Sequence, residues 1–111
     1  MNVSKTVVEG AVIIEPLSFG DERGFFSPVF DDRKFQQIGI SEKFCRMNNS
    51  CSSYKGTIRG MHYQPPPYQE GKLLRVIRGS IWDVALDLRK DSSSFGKWSG
   101  VELPATNRKL F

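Results

Sequence analysis

Hydrophobic and polar positions alternate in short runs along most of the chain, and glycine, proline and serine punctuate them. From Val7 to Phe19 the run is rich in β-branched residues and broken at Gly10 and Pro16, so a strand is predicted over about Ala11 to Glu15. Gly20-Asp21-Glu22 reads as a turn. The aromatic stretch Arg23 to Phe30 comes next as an edge or bulged strand, because Pro28 cannot donate to a ladder. An exposed edge of this kind can pair with another subunit. The pattern changes period only between Asp31 and Gly39, where an acidic cap, apolar Phe35 and Ile38, and a closing glycine predict one short helix over about 31–38.

Strands are predicted again at Phe44 to Ser50 and across Thr57-Ile58-Arg59-Gly60-Met61-His62-Tyr63-Gln64, joined by the loop Ser52 to Gly56. Pro65-Pro66-Pro67 ends the second of these and stiffens the next segment; a polyproline recognition motif is the other reading of that tract. Lys72 to Arg78 and Ile81 to Leu88 flank Gly79-Ser80, the pattern of a hairpin with a two-residue connection. Asp91 to Gly96 is a turn cluster, Lys97 to Leu103 a further strand, and Leu110-Phe111 the start of another. Many short strands with one minor helix predict an all-β sandwich or jelly roll, with a mouth where charged side chains converge.

Composition narrows the functional classes. The 111 residues suit a single domain, 1–111, or less than one. The net charge of +4 comes from 16 basic residues interleaved with 12 acidic ones, without the basic run of a nucleic-acid footprint; an anionic small ligand is permitted. No stretch reaches the roughly 18 apolar residues of a membrane span, and no signal-peptide core follows Met1, so a cytoplasmic protein is expected. Cys45 and Cys51, on one strand, would stand about 20 Å apart at roughly 3.3 Å per residue and are expected to stay reduced. Two thiols and one histidine make a poor metal site, and no metal is expected.

The chemistry concentrates around His62, the one histidine and the natural general base near neutral pH. Arg59, three residues earlier, suits a phosphate or carboxylate. An odd spacing sends two strand side chains to opposite faces, so a backbone irregularity at Gly60 is expected to bring Arg59 and His62 to one cavity. A plain surface strand with an exposed histidine is the alternative. In the 81–88 strand, Asp83 and Asp87 share a face with Ile81 and Ala85; that face is either solvated or the wall of a polar cavity. Lys72 raises the same choice, as a solvated strand end or a placed cation.

Several blocks together resemble the nucleotide-sugar epimerases typified by dTDP-4-dehydrorhamnose 3,5-epimerase, a branch of the cupin-type jelly rolls. They are Asp21-Glu22-Arg23-Gly24-Phe25-Phe26, Lys55 to Gln64, Lys72-Leu73-Leu74-Arg75-Val76, Gly79 to Arg89, and Ser94-Phe95-Gly96-Lys97-Trp98. The resemblance implies a cofactor-independent isomerase that removes protons beside the C4 ketone of a dTDP-4-keto-6-deoxy-hexose and returns them from the other face at C3 and C5. It implies His62 as the base, Lys72 as the cation at the enolate oxygen, Arg59 and Arg23 on the diphosphate, Phe26 stacked on the nucleotide, and Asn49 as a polar contact. It also implies a homodimer through the Arg23 to Phe30 segment. Pro28 stands where the family commonly has a glutamate, and Met47 where it has a glutamine, which leaves the choice of nucleotide open. The family's second half, with its reprotonating tyrosine and its histidine-pairing aspartate, has no counterpart in these residues. The expected fold is therefore an incomplete barrel, with Asp83 and Asp87 as local candidates to orient His62. A truncated, non-catalytic nucleotide-sugar-binding protein that keeps the phosphate anchors is the alternative.

Overall fold

The computed structural model of the chain describes residues 1–111. Asn2–Lys5 (β1) pairs antiparallel with Val12–Glu15 (β2), with Asn2 opposite Glu15 and Lys5 opposite Val12. Phe19–Asp21 (β3) and Gly24–Phe26 (β4) form a second antiparallel pair. Ser80–Leu86 (β5) and Trp98–Pro104 (β6) form the longest, running from Ser80 opposite Pro104 to Leu86 opposite Trp98. The fold is all-β with one helix, Asp32–Gln37 (α1), and the three two-stranded sheets do not close into a barrel.

The helix lies where capping and spacing place it. Asp31 accepts from the Lys34 backbone N–H at 3.1 Å, satisfying one of the donors that a helix start leaves open. Phe35 is buried from the inner face against Ile14 and Leu110, and its ring meets Phe30 and Phe44 edge to face at 5.0 and 6.3 Å. Residues 110–111 stitch this core together: Leu110 exchanges backbone bonds with Ile14, at 2.8 and 2.9 Å, and Phe111 does so with Leu74, at 2.8 and 3.0 Å. The strand start predicted at Leu110 thus runs between β2 and the Leu74-Arg75 segment.

Three expectations are corrected. The chain turns at Glu22-Arg23, not Gly20 to Glu22, because Asp21 pairs with Gly24 across the hairpin and its carboxylate accepts from the Arg23 N–H at 2.9 Å. Lys72 to Arg78 does not pair with β5 across Gly79-Ser80. Gly79 does provide the bend, with φ of 83°, but β5 takes β6 as its partner, a ladder of seven residue pairs that buries Val101 and Leu103. A turn signal marks where the chain bends; the longer apolar ladder decides which strand it joins. Finally, the segments 44–50 and 57–64 lie in no ladder, since strand propensity expresses fit to a pleated neighbour and none runs beside them.

Candidate functional site

Arg23 stands at the tip of the β3–β4 hairpin, where its guanidinium grips the Asp21 carboxylate with Nε at 3.2 and 3.3 Å and Nη2 at 2.5 Å. The hydrogen bonds from Arg23 hold the Asp21 carboxyl below its usual range, and Asp21 in turn raises Arg23. Both side chains remain open to solvent, so an incoming anion would compete with one exposed carboxylate. Phe26 lies opposite Phe19 on the same hairpin, and both rings are exposed. Phe19, Asp21, Arg23, Phe25 and Phe26 surround a cleft of about 290 Å³.

The second group of residues is borne by the long segment between α1 and β5. Gly60 has φ of 114°, a left-handed value that glycine tolerates, but the segment lies in no ladder, so this is no bulge within a strand. The His62 ring folds back there, with Nδ1 3.6 Å from where a Cβ on residue 60 would stand. Arg59 turns toward the preceding loop, donating from Nη2 to the Cys51 carbonyl at 2.9 Å and from Nε to Ser52 Oγ at 3.2 Å. Arg59, His62, Asn49 and Lys72 are exposed and lie outside the hairpin cleft. The structure thus brings Arg23 and Phe26 together at the cleft, while Asn49, Arg59, His62 and Lys72 stand exposed on the segment between α1 and β5.

Asp83 is half-buried in β5 opposite Val101. Asp87 is neither solvated nor aimed at His62. Its side chain is buried and accepts from Arg89 Nε and Nη2, each at 2.8 Å, and from the hydroxyls of Ser92 and Ser94, each at 2.5 Å. The Arg89 bonds first, then those of the two serines, hold its carboxyl far below the usual range. Arg89 also donates to the Glu9 carbonyl at 2.6 Å, so the cluster staples the β1–β2 turn to the loop before β6. As an orienting group for His62, Asp87 is ruled out by these commitments.

Cys45 and Cys51 are free and exposed, and no three of the histidine, cysteine, aspartate and glutamate side chains are grouped to hold a metal. No helix is long and apolar enough to cross a membrane. Sequence reasoning missed Arg108, whose guanidinium carbon sits 3.8 Å from the centroid of the Phe25 ring. Its only sequence signal is a basic residue after a turn.

The family model described as dTDP-4-dehydrorhamnose 3,5-epimerase matches residues 5–111. The protein of that name from Shigella flexneri is 48% identical over 110 residues, which are 98% of this chain and 60% of that protein. The chain therefore spans about three-fifths of the length of this curated relative. A crystal structure of the Bacillus anthracis dTDP-4-dehydrorhamnose 3,5-epimerase with TDP and PPi bound superposes with a TM-score of 0.94 at 40% identity, over 98% of this chain and 62% of that one. The Legionella pneumophila dTDP-6-deoxy-D-glucose-3,5-epimerase in complex with dTDP-4-keto-L-rhamnose gives 0.89 at 41% identity, over 98% and 57%.

Proposed function

The chain belongs to the dTDP-4-dehydrorhamnose 3,5-epimerase family, and from that premise we propose that it serves as an isomerase inverting C3 and C5 of a dTDP-4-keto-6-deoxy-hexose. Such a reaction belongs to dTDP-rhamnose-type sugar synthesis for cell-surface polysaccharide. The observation that carries the reading is the superposition of 98% of the chain on an epimerase that holds TDP. The cupin-type jelly roll of that family is the architecture to which the three sheets correspond.

C3 and C5 both lie beside the C4 ketone, so removing a proton from either leaves an enolate whose charge rests on the C4 oxygen. His62 takes the proton and Lys72 meets the developing oxyanion; the two share the barrier. Return of a proton, drawn from solvent, to the opposite face completes inversion. The ketone is itself the electron sink, so the chemistry calls for no cofactor. Arg59 and Arg23 hold the diphosphate, Phe26 stacks on the base, and Asn49 supplies a polar contact. Asp83 is the remaining local carboxylate to orient the imidazole. Residues 1–111 form a single domain, the N-terminal part of an epimerase-type jelly roll, and act in the cytoplasm as a homodimer that meets through the Arg23 to Phe30 segment, without nucleic acid.

Incubation with a dTDP-4-keto-6-deoxy sugar in D₂O, followed by NMR, tests the assignment. Deuterium should enter C3 and C5, and His62→Ala should slow its entry by roughly 10²–10⁴-fold. Undiminished exchange in His62→Ala would remove His62 as the base. Binding of dTDP without any exchange would leave a nucleotide-sugar-binding protein.

A further inference from the structure

The β3–β4 hairpin carries Arg23 at its tip and Phe26 at its end, yet its own ladder is only three residue pairs long. A two-stranded ribbon of that length is marginal by itself, so something outside it must fix where those two side chains stand. Ser27 Oγ donates to the Leu17 carbonyl at 2.8 Å and closes the base of the hairpin from within. The hold from outside is Arg108. Its Nη1 donates to Ser18 Oγ at 3.2 Å, beside the entry of β3, while its guanidinium lies over the Phe25 ring of β4. One side chain thus grips both strands.

Arg108 is itself launched from a fixed corner. It follows the 3₁₀ turn Ala105–Asn107 with φ of 55°, Lys109 N–H donates to Asn107 Oδ1 at 2.9 Å, and Leu110 is bonded in both directions to Ile14. Arg108 lies over the Phe25 ring, and the side of the ladder on which Phe26 and Phe19 stand opposite one another stays open to solvent. The open side is the one on which a nucleotide base would stack.

We propose that Arg108 is a positioning residue for the nucleotide subsite: it clamps the β3–β4 hairpin through Ser18 and Phe25, and so sets the place of Phe26 and Arg23 against the nucleoside diphosphate. This rests on the functional reading above. The stacked guanidinium acts through the hairpin and does not itself touch the diphosphate.

The test measures dTDP affinity by calorimetry, and amide hydrogen exchange over residues 18–27, in the full chain and in Arg108→Ala, Arg108→Lys, Phe25→Leu and the Arg108→Ala/Phe25→Leu double variant. An exposed cation–π contact of ordinary strength corresponds to about two- to fivefold in affinity. Arg108→Ala should therefore weaken dTDP binding by about that factor, raise KM more than it lowers kcat, and speed exchange at 18–27 while β5 and β6 stay protected. Arg108→Lys keeps a cation and should recover part of the loss. The double variant should be no worse than Arg108→Ala alone. Unchanged affinity and exchange in Arg108→Ala, or losses that add in the double variant, overturn the clamp. If the unsubstituted chain fails to bind dTDP at all, it is the functional reading that falls, a result distinct from equal binding by the unsubstituted chain and Arg108→Ala.

Discussion

Asp87 is a charged side chain with 3% of its surface exposed, and what makes that tolerable is the number of its donors. Arg89, Ser92, Ser94 and the Arg89 backbone N–H all serve the ionised form, so protonation on the folded chain is disfavoured. The carboxyl is lowered in the folded state and ordinary in the unfolded one. Its stabilisation is therefore complete above the unfolded value, about 3.9, and is lost progressively as pH falls toward the folded value. Glu9, lowered by the hydroxyls of Ser93 and Ser92, adds in the same sense. Urea titrations should show the midpoint dropping between about pH 5 and pH 3. Asp87→Asn should be less stable at neutral pH and should lose most of that acid dependence. An unaltered pH profile in Asp87→Asn would mean that other carboxylates drive the acid response. Alternation along the strand showed that Asp83 and Asp87 share a face, yet it could not show that Arg89 and two serines of the next turn close over one of them. Those partners are assembled by the loop and not by the strand.

At the scale of elements, what could be read from the sequence was what is local. Asp31, Phe35, Ile38 and Gly39 define α1 through a cap, an inward face and a stop, all within nine residues. The Trp98–Pro104 strand likewise follows from its own composition. The pairing of β5 was not legible, because Gly79-Ser80 specifies a bend and the partner is chosen by Val101 and Leu103, some twenty residues on. The Arg108 clamp was hidden for the same reason: Arg108 and Phe25 are far apart in sequence and meet only in the fold that also joins Leu110 to Ile14. The helix offers the sharper test of packing, since Phe35 is fully buried between Phe30 and Phe44 while Asp31 works at the margin. Phe35→Ala should cost about 3–5 kcal/mol in chemical denaturation, by lost burial and the cavity left behind. Asp31→Ala should cost only about 1 kcal/mol, the usual worth of a cap. Equal losses would show that the helix, and not the aromatic cluster, holds this end of the chain.

Residues 1–111 spread more broadly than a compact domain of that length. Their radius of gyration is 15.1 Å, where a compact domain of 111 residues has about 13 Å. They make 35 backbone–backbone hydrogen bonds, where roughly 75 are usual. Apolar side chains accordingly stand in solvent along the segment from Met47 to Tyr68 and, among the strands, in two patches: Phe19, Phe25 and Phe26 on the hairpin, and Trp82 and Trp98 on the last sheet. The two patches differ in what the proposed dimer asks of them. The hairpin lies within or beside the Arg23 to Phe30 segment assigned to the partner contact, whereas Trp82 and Trp98 do not. If the hairpin carries the contact, sedimentation velocity should show a monomer–dimer equilibrium that Phe19→Ser shifts toward monomer. Full burial of a phenylalanine is worth about 1.5–3 kcal/mol, so the dissociation constant should rise by about tenfold or more. Trp98→Ser removes as large an exposed ring from the other patch and should leave the equilibrium in place. Dissociation by Trp98→Ser with no effect of Phe19→Ser would move the contact to the β5–β6 sheet, and the hairpin would then have only the nucleotide to bind.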